Sequence, residues 1–187
     1  QVGGRPGHEQ AALADQGPPY PDERGQTDRK SIRADTGQRP REATRQDTGQ
    51  IVQFQQSMAL EAEGKSLDEP LLRRGVASVF DSDDKGFYLV AEADGEVVGS
   101  LLITYEWSDW RNATFWWIQS VFVSADWRRR GVYRAMHDWV HDIADSREDI
   151  CGIRLYVDRT NRIAKQTYKS LGMAHSHYDL YEIDFVL

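Results

Sequence analysis

Apolar and polar residues alternate along the middle of this chain with a period of two, which is typical of strands. The alternation predicts strands over residues 87–93, 96–107, 114–123 and 150–157, with a final strand region that extends to Phe185. The first two strands are joined by Asp94-Gly95, a dipeptide that favours a tight hairpin turn. The sequence therefore predicts a sheet that contains at least one antiparallel pair.

Apolar residues spaced three and four apart predict four helices around these strands. The first begins at a capping box formed by Thr44 and Asp47, and the second begins at another formed by Ser66 and Glu69. The other two are predicted over residues 131–146 and 161–171, with Gly172 as a C-cap. The residues predicted to face inward from the third helix are Val132, Met136, Trp139, Val140 and Ile143.

The order of these elements predicts a mixed α/β single domain over residues 39–187. The strand, helix and strand between residues 114 and 157 form a unit whose two strands should run parallel. Residues 1–38 differ from the rest, because they are rich in Gly, Pro, Gln, Asp and Arg and contain one aromatic residue, Tyr20. We expect them to form a disordered N-terminal extension, since this composition buries little apolar surface.

Composition narrows the classes of function. Thirty acidic and 23 basic residues give a net charge of −7, which argues against general nucleic-acid binding and is compatible with a cationic acceptor. No apolar stretch is long enough to span a membrane, so no membrane partner is expected. Cys151 is the only cysteine, which excludes an intrachain disulfide and fits a reducing, cytoplasmic location.

The segment from Val121 to Arg134 carries the first candidate chemistry, because an apolar strand leads through a basic turn directly into a helix. The first turn of a helix has N–H groups without partners and the positive end of the helix dipole, so it can hold a phosphate. An ordinary connection with solvated arginines is the alternative. The candidate residues for binding a phosphate-bearing cofactor are Val121, Phe122, Val123, Arg128, Arg129, Arg130, Gly131, Val132, Tyr133 and Arg134.

Two motifs together resemble the GNAT superfamily of acetyl-CoA-dependent N-acetyltransferases. One is the Arg-x-x-Gly turn, and the other is an Asn-x-x-Ala-x-x-x-Tyr-x-x-x-Gly helix. The matching residues are Arg128, Gly131, Asn161, Ala164, Tyr168 and Gly172. Tyr133 stands where that family usually has a second small residue.

The resemblance implies a fold and a reaction. The fold would be a mostly antiparallel twisted sheet, flanked by helices, with a parallel strand pair splayed at the acyl-CoA site. The reaction would be direct transfer from acetyl-CoA to a primary amine of a small molecule in a ternary complex. Asn161 and Tyr168 would contact the cofactor, and Tyr168 would be the general acid toward the CoA thiolate. Packing within its helix is the alternative for Tyr168.

Residues 68–75, 86–92 and 105–110 carry a resemblance to one branch of that superfamily. In these segments the chain is similar to the diamine acetyltransferases. The carboxylates of their fourth strand are replaced here by Gln119 and Ser120, so polyamine specificity is not implied. Glu106 is then the candidate general base, because it lies at a strand end between Tyr105 and Trp107. The candidate acceptor-binding residues are Glu61, Glu63, Trp107, Trp110 and Gln119.

Several alternatives stay open at this stage. The glutamates also fit a solvated surface role, and a water-mediated base is another way to remove the proton. A non-catalytic acyl-CoA sensor that has kept the cofactor groove and lost its base is a second class of function. His137 and His141 lie four residues apart, but no third ligand accompanies them, so no metal is expected. A homodimer is compatible with the sequence.

Overall fold

A five-stranded mixed sheet is the frame of the fold. The computed structural model describes residues 37–185, so the prediction for residues 1–36 lies outside the described residues. The strands, in their order across the sheet, are β1 (Arg39–Glu42), β2 (Phe87–Ala93), β3 (Glu96–Ser108), β4 (Ala113–Val123) and β5 (Ile150–Arg154). The helices are α1 (Thr48–Glu63), α2 (Glu69–Phe80), α3 (Val132–Asp145) and α4 (Arg162–Ser170).

The direction of the strands confirms the predicted mixed α/β fold. The pairs β1–β2, β2–β3 and β3–β4 are antiparallel, and β4 and β5 are parallel with α3 as their crossover. The hairpin at Asp94-Gly95 is also confirmed, since both residues have positive φ. Within residues 37–185, no helix combines the length and the apolar character needed to cross a membrane.

Two hydrophobic clusters lie on opposite faces of the sheet. Helix α3 packs on one face, where Met136 and Val140 are fully buried against strand residues such as Leu101. Helices α1 and α2 pack on the other face through Ile51 and Val76. Burial of each such side chain contributes roughly 1.5–3 kcal/mol, so these clusters fix both helix layers.

One inward-facing residue of α3 was predicted wrongly. Ile143 is 37% exposed, while Ala144 and His137 are buried. The buried face follows Val132, Met136 and Val140 at exact four-residue steps, and one more step of four reaches residue 144.

The starts of α1 and α2 show which capping predictions hold. The N–H of Thr44 donates to the Asp47 carboxylate at 2.7 Å, and a short 3₁₀ turn separates this contact from α1. The predicted pair of Ser66 and Glu69 is wrong, because the N-cap of α2 is Asp68, whose side chain accepts from the N–H of Leu71 at 2.7 Å. A carboxylate one residue before the helix reaches these N–H groups directly.

The last two predicted strands are corrected by the structure. Strand β5 ends at Arg154, three residues before the predicted end. The final strand region toward Phe185 is wrong, because residues 173–185 form no strand and the large apolar side chains from Tyr178 onward are exposed. Alternation alone does not make a strand, since a strand also needs a hydrogen-bonding neighbour.

Strands β4 and β5 separate toward their carboxyl ends. Their pairing runs from Thr114 to Trp117 on β4 and stops at the pair Trp117–Arg154, while β4 continues to Val123. A register shift between β3 and β4 lies opposite Ser120, which has a φ of 51°. Such a bulge bends a strand and increases its twist. The bulge lies three residues beyond Trp117, the last residue of β4 that pairs with β5.

A buried carboxylate links β1 to the start of α1. Asp47 is 8% exposed, and its carboxylate accepts hydrogen bonds from Nη1 and Nη2 of Arg41 at 2.8 and 2.9 Å. The hydrogen bonds from Arg41 hold the pKa of Asp47 below its ordinary value.

We expect Asp47→Asn to lower the free energy of unfolding by about 1.5–3 kcal/mol in urea denaturation at pH 7.

The same variant should change the dependence of stability on pH. Because the folded pKa of Asp47 lies below the unfolded value, its stabilisation is present above the unfolded pKa and is lost as pH falls through the folded pKa. The unfolding free energy of Asp47→Asn should therefore fall less steeply in acid than that of the wild type. Asp81→Asn is the control, since Asp81 pairs with Arg45 on the exposed surface and should contribute little. Equal effects of both variants would contradict a special role for Asp47.

Candidate active site

The turn between β4 and α3 changes direction through two residues with positive φ. Arg129 has a φ of 61°, and Gly131, which directly precedes α3, has a φ of 87°. A Cβ placed on Gly131 meets no atom within 4 Å, so the glycine is favoured by its backbone conformation and its outer side is open. The N–H groups of the first turn of α3 have no acceptors within the helix. The turn can therefore receive an anion on backbone donors.

Arg128 connects this turn to α1. Its Nε–H donates to the carbonyl oxygen of Val123 at 2.9 Å, and its Nη2 donates to Glu61 at 2.6 Å. Its guanidinium also lies 5.7 Å from the centre of the Phe122 ring, which stacks on Phe54 of α1. Glu61, predicted at the acceptor site, therefore lies beside the turn predicted to bind the cofactor.

The other arginines of the turn differ in their contacts. Arg130 stacks over Trp127 at 5.1 Å, and its carbonyl oxygen accepts from Gln38 at 2.8 Å. Arg134 reaches Ser170 of α4 at 3.4 Å. The Arg129 side chain forms no hydrogen bond or ion pair with the rest of the described chain, which leaves its charge available to an anion.

Two tyrosines meet where α3 faces α4. The rings of Tyr133 and Tyr168 are 5.7 Å apart in an edge-to-face arrangement. Burial raises the pKa of both phenols, so both are protonated at neutral pH. The Tyr133 hydroxyl is buried and has no hydrogen-bond partner among the described residues. Asn161 caps α4, since its side-chain oxygen accepts from the N–H of Ala164 at 3.0 Å.

Three neighbouring segments present polar side chains on one face of the sheet. We call this cluster the polar sheet face. Its members are Thr104, Glu106, Trp117, Gln119, Arg154 and Tyr156. Leu102, two residues before Thr104 on β3, still packs in the cluster beneath α1 and α2. The polar sheet face therefore begins where the helix-covered part of that face ends, near the separation of β4 from β5.

Hydrogen bonds tie the polar sheet face together. The Glu106 carboxylate accepts from Arg154 at 2.6 Å and from the indole N–H of Trp117. Gln119 donates to the Thr104 hydroxyl and accepts from the Tyr156 hydroxyl at 3.1 Å. Both predicted residues, Glu106 and Gln119, thus lie on one surface with fixed partners.

The remaining predicted acceptor residues lie elsewhere. Trp107 pairs with Thr114 in the β3–β4 ladder, so its side chain points to the face opposite Glu106. Trp107 and Trp110 are 62% and 79% exposed near the tip of that hairpin. Glu63 pairs with Lys65 at 2.9 Å just after α1. The structure does not bring these three residues to the polar sheet face.

The two histidines of α3 have different surroundings. His137 is 3% exposed and burial lowers its pKa, whereas His141 lies on the surface with its ring 6.4 Å away. Within residues 37–185, no group of three or more His, Cys, Asp or Glu side chains is arranged to hold a metal ion.

Sequence reasoning missed Arg154 and Tyr156. Their spacing of two residues placed both on one face of the predicted strand, which was the available signal. Their partners, Glu106 on β3 for Arg154 and Gln119 on β4 for Tyr156, are 48 and 37 residues away in sequence. Only the register of the sheet identifies those partners, and the pattern along one strand does not contain it.

Comparisons with known proteins agree with this geometry. A family model described as "Acetyltransferase (GNAT) family" matches residues 51–173. A search of curated proteins found no significant match. Among solved structures, one described as a possible acetyltransferase from Clostridium difficile 630 is 41% identical, with a TM-score of 0.75. The alignment covers 80% of this chain and 99% of that one.

More distant structures share the fold. A ribosomal-protein-alanine N-acetyltransferase from Brucella melitensis biovar Abortus 2308 is 19% identical with a TM-score of 0.65, over 79% of this chain and 99% of that chain. An aminoglycoside acetyltransferase from an uncultured soil metagenomic sample, in complex with sisomicin, is 13% identical with a TM-score of 0.65. That alignment covers 82% of this chain and 99% of the other.

Proposed function

This chain belongs to the GNAT acetyltransferase family, and we propose that it transfers the acetyl group of acetyl-CoA to a primary amine of a small molecule. The observation that supports this proposal best is the turn at Gly131, which directs the N-terminus of α3 outward at the end of β4. The point where β4 and β5 stop pairing, at Trp117, also lies on β4. An anion site next to a gap between parallel strands fits a long ligand with a pyrophosphate at one end.

The residues of the turn fit the pyrophosphate of acetyl-CoA. The open side of Gly131 favours a multiply charged ligand, and so does the charge of Arg129, whose side chain has no hydrogen-bond or ion-pair partner within residues 37–185. When bound, acetyl-CoA supplies an acetyl group activated as a thioester. We place its pantetheine arm between residues 121–123 and the segment that follows Arg154. The proposed contacts are Val121, Phe122, Val123, Arg128, Arg129, Arg130, Gly131, Val132, Tyr133, Arg134, Asn161 and Tyr168.

Tyr168 is the proposed proton donor to the departing thiolate. Its raised pKa keeps the phenol protonated over the neutral range, which a general acid requires. Glu106 is the proposed acceptor for the proton of the amine. Although Arg154 and Trp117 already donate to it, a carboxylate can accept about four hydrogen bonds, so lone pairs remain for the substrate.

The amine itself is proposed to bind on the polar sheet face beside Gln119. Glu61 and Glu63 remain proposed contacts of a cationic acceptor at the end of α1. For Glu61 this requires that its ion pair with Arg128 opens, which costs little because both side chains are about half exposed. Trp107 and Trp110 are not proposed to contact an amine bound beside Gln119, because Trp107 lies on the opposite face of the sheet and Trp110 lies near the exposed tip of the hairpin.

A screen of amines with acetyl-CoA tests the proposed function. Release of CoA thiol is measured across primary amines of varied size and charge, with reactions lacking amine as the blank. We expect amine-dependent thiol release for at least one class of small amine. If acetyl-CoA binds at the turn and no amine releases thiol, the protein is an acyl-CoA sensor and the proposal of catalysis is wrong.

The role of Glu106 has its own test. We expect Glu106→Gln to lower turnover at saturating amine by roughly a hundredfold, because the amide cannot accept the proton. Glu148→Gln on the exposed loop before β5 is the matched control and should retain full turnover. Full turnover of Glu106→Gln with a higher KM would make Glu106 a binding residue and contradict its role as base.

A further inference from the structure

Arg154 lies at the point where the parallel strands separate. It is the last residue of β5 that pairs with β4, opposite Trp117. Gln119 lies two residues farther along β4 on the same face as Trp117, whereas the Arg154 guanidinium lies over Phe115, two residues before Trp117. Four residues of a strand span roughly 13 Å, so an extended acceptor of about that length whose amine lies beside Gln119 would have its other end at the Arg154 guanidinium.

The guanidinium of Arg154 is held in one position. Its centre lies 3.6 Å from the centre of the Phe115 ring, and its Nη1 donates to Glu106 at 2.6 Å. No other side-chain hydrogen bond of Arg154 occurs within residues 37–185, so most of its N–H groups are available. The Arg154 side chain is 34% exposed, so a ligand can reach it. A guanidinium fixed by stacking is prepared to bind a carboxylate through two parallel hydrogen bonds.

The charges around Phe115 favour an anion over a second cation. Glu106 is matched by Arg154, and Arg111 adds another guanidinium 5.2 Å from the same ring. These three side chains together carry a net positive charge. A polyamine would place its second ammonium against this surface, whereas a carboxylate would be attracted to it.

We propose that Arg154 selects acceptor amines that carry a carboxylate. The inference rests on the proposed acetyl transfer and names the class of its acceptor. Arg154 is a specificity-determining residue in this account: it binds the carboxylate of the acceptor and takes no part in proton transfer. The reacting amine lies toward Gln119, and the carboxylate lies beside the Arg154 guanidinium over Phe115. Because Glu106 pairs with Phe115 in the β3–β4 ladder, the proton of the amine reaches Glu106 through a water in this proposal.

The test compares acceptors that differ only in charge. Each ω-amino acid in a series of increasing chain length is paired with its own carboxamide, which has the same shape without the negative charge. Thiol release from acetyl-CoA gives kcat/KM for each member. We expect the wild type to prefer the acid of at least one pair by about ten- to a hundredfold, which is typical of a charge-assisted hydrogen-bond pair.

Variants assign that preference to Arg154. In Arg154→Gln the ratio of kcat/KM for the acid to kcat/KM for the amide should fall to about one. In Arg154→Lys this ratio should be intermediate, because lysine keeps the positive charge but lacks the planar guanidinium that can form two parallel hydrogen bonds. Arg159→Gln is the control that should retain the ratio, since Arg159 is 85% exposed and pairs with Asp179. Calorimetric titration with CoA checks that each variant is folded.

The outcomes separate this inference from the proposed function. Absence of thiol release with every amine would overturn both. Thiol release with equal kcat/KM for acids and amides in the wild type would overturn the inference alone. A preference for acids that persists in Arg154→Gln would assign the selection to another residue and would also overturn it.

Discussion

Replacement of Tyr168 by phenylalanine is expected to lower the rate constant of acetyl transfer by roughly ten- to a thousandfold, with little change in CoA affinity. The variant keeps the ring that packs edge-to-face on Tyr133 and removes only the hydroxyl. A thiolate that departs without a proton donor is a poorer leaving group, so the chemical step slows. Single-turnover kinetics measures this step, and calorimetric titration with CoA measures binding.

The pH dependence gives a second readout for Tyr168. Burial raises its pKa above the ordinary value of 10.0, so the phenol is protonated below that pH and loses its proton only above it. A general acid acts in its protonated form, so transfer by the wild type should decline only above about pH 10. Tyr168→Phe should lack this decline.

Tyr178→Phe serves as the control for Tyr168→Phe, because Tyr178 is 67% exposed after α4. It should transfer at the rate of the wild type. If Tyr168→Phe also transfers at that rate while chemistry is rate-limiting, Tyr168 only packs and its assignment as general acid is wrong.

Replacement of Gly131 by valine is expected to weaken CoA binding by about tenfold or more, which corresponds to roughly 1–2 kcal/mol. The φ of 87° at Gly131 is costly for a β-branched residue, although its side chain would meet no atom within 4 Å. The loss therefore comes from a change of backbone that turns the N–H groups at the start of α3 away from the ligand. Calorimetric titration with CoA measures the affinity.

Gly95→Val is the matched control for that loss. Gly95 has a φ of 81° and the same open surroundings, but it lies in the β2–β3 hairpin. Both variants should lose similar stability in thermal unfolding, and only Gly131→Val should lose CoA affinity. Unchanged CoA affinity in Gly131→Val would contradict the proposal that the pyrophosphate binds at this turn.

The sequence predicted the part of the fold that depends on local pattern. The unit of β4, α3 and β5 follows from two apolar strands on either side of an amphipathic helix, and its parallel pairing follows from the crossover. The sequence also predicted the start of α3 near Gly131, because this glycine directly precedes residues with the apolar spacing of a helix.

The contacts between distant segments were not predictable in the same way. Glu106 is matched by Arg154, and Glu61 by Arg128, over separations of 48 and 67 residues. Both pairs depend on how strands align and how α1 crosses the sheet, which local periodicity does not specify. The predicted end of β5 at Val157 was wrong for a related reason. Pairing with β4 stops at Trp117 although β4 continues to Val123, and the pattern along one strand does not show where its neighbour diverges.

The tryptophans of β3 and β4 lie on different faces of the sheet, and strand alternation predicts only part of this arrangement. Adjacent residues on a strand face opposite ways, so Trp116 packs under α3 while Trp117 joins the polar sheet face. Trp107 falls on the face opposite Glu106 because of its register with Thr114. Trp107 and Trp117 therefore lie on opposite faces of the sheet.

The most direct test of acetyl transfer by this protein is to identify and count both products of one reaction. Acetyl-CoA is incubated with the best amine of the screen, free CoA thiol is quantified, and the acetylated amine is identified by mass spectrometry. We predict one N-acetylated amine for each CoA released, together with initial-rate plots that intersect, as a ternary complex requires. CoA release without acetylated amine, or parallel plots with an acetylated form of the protein, would contradict direct transfer to an amine.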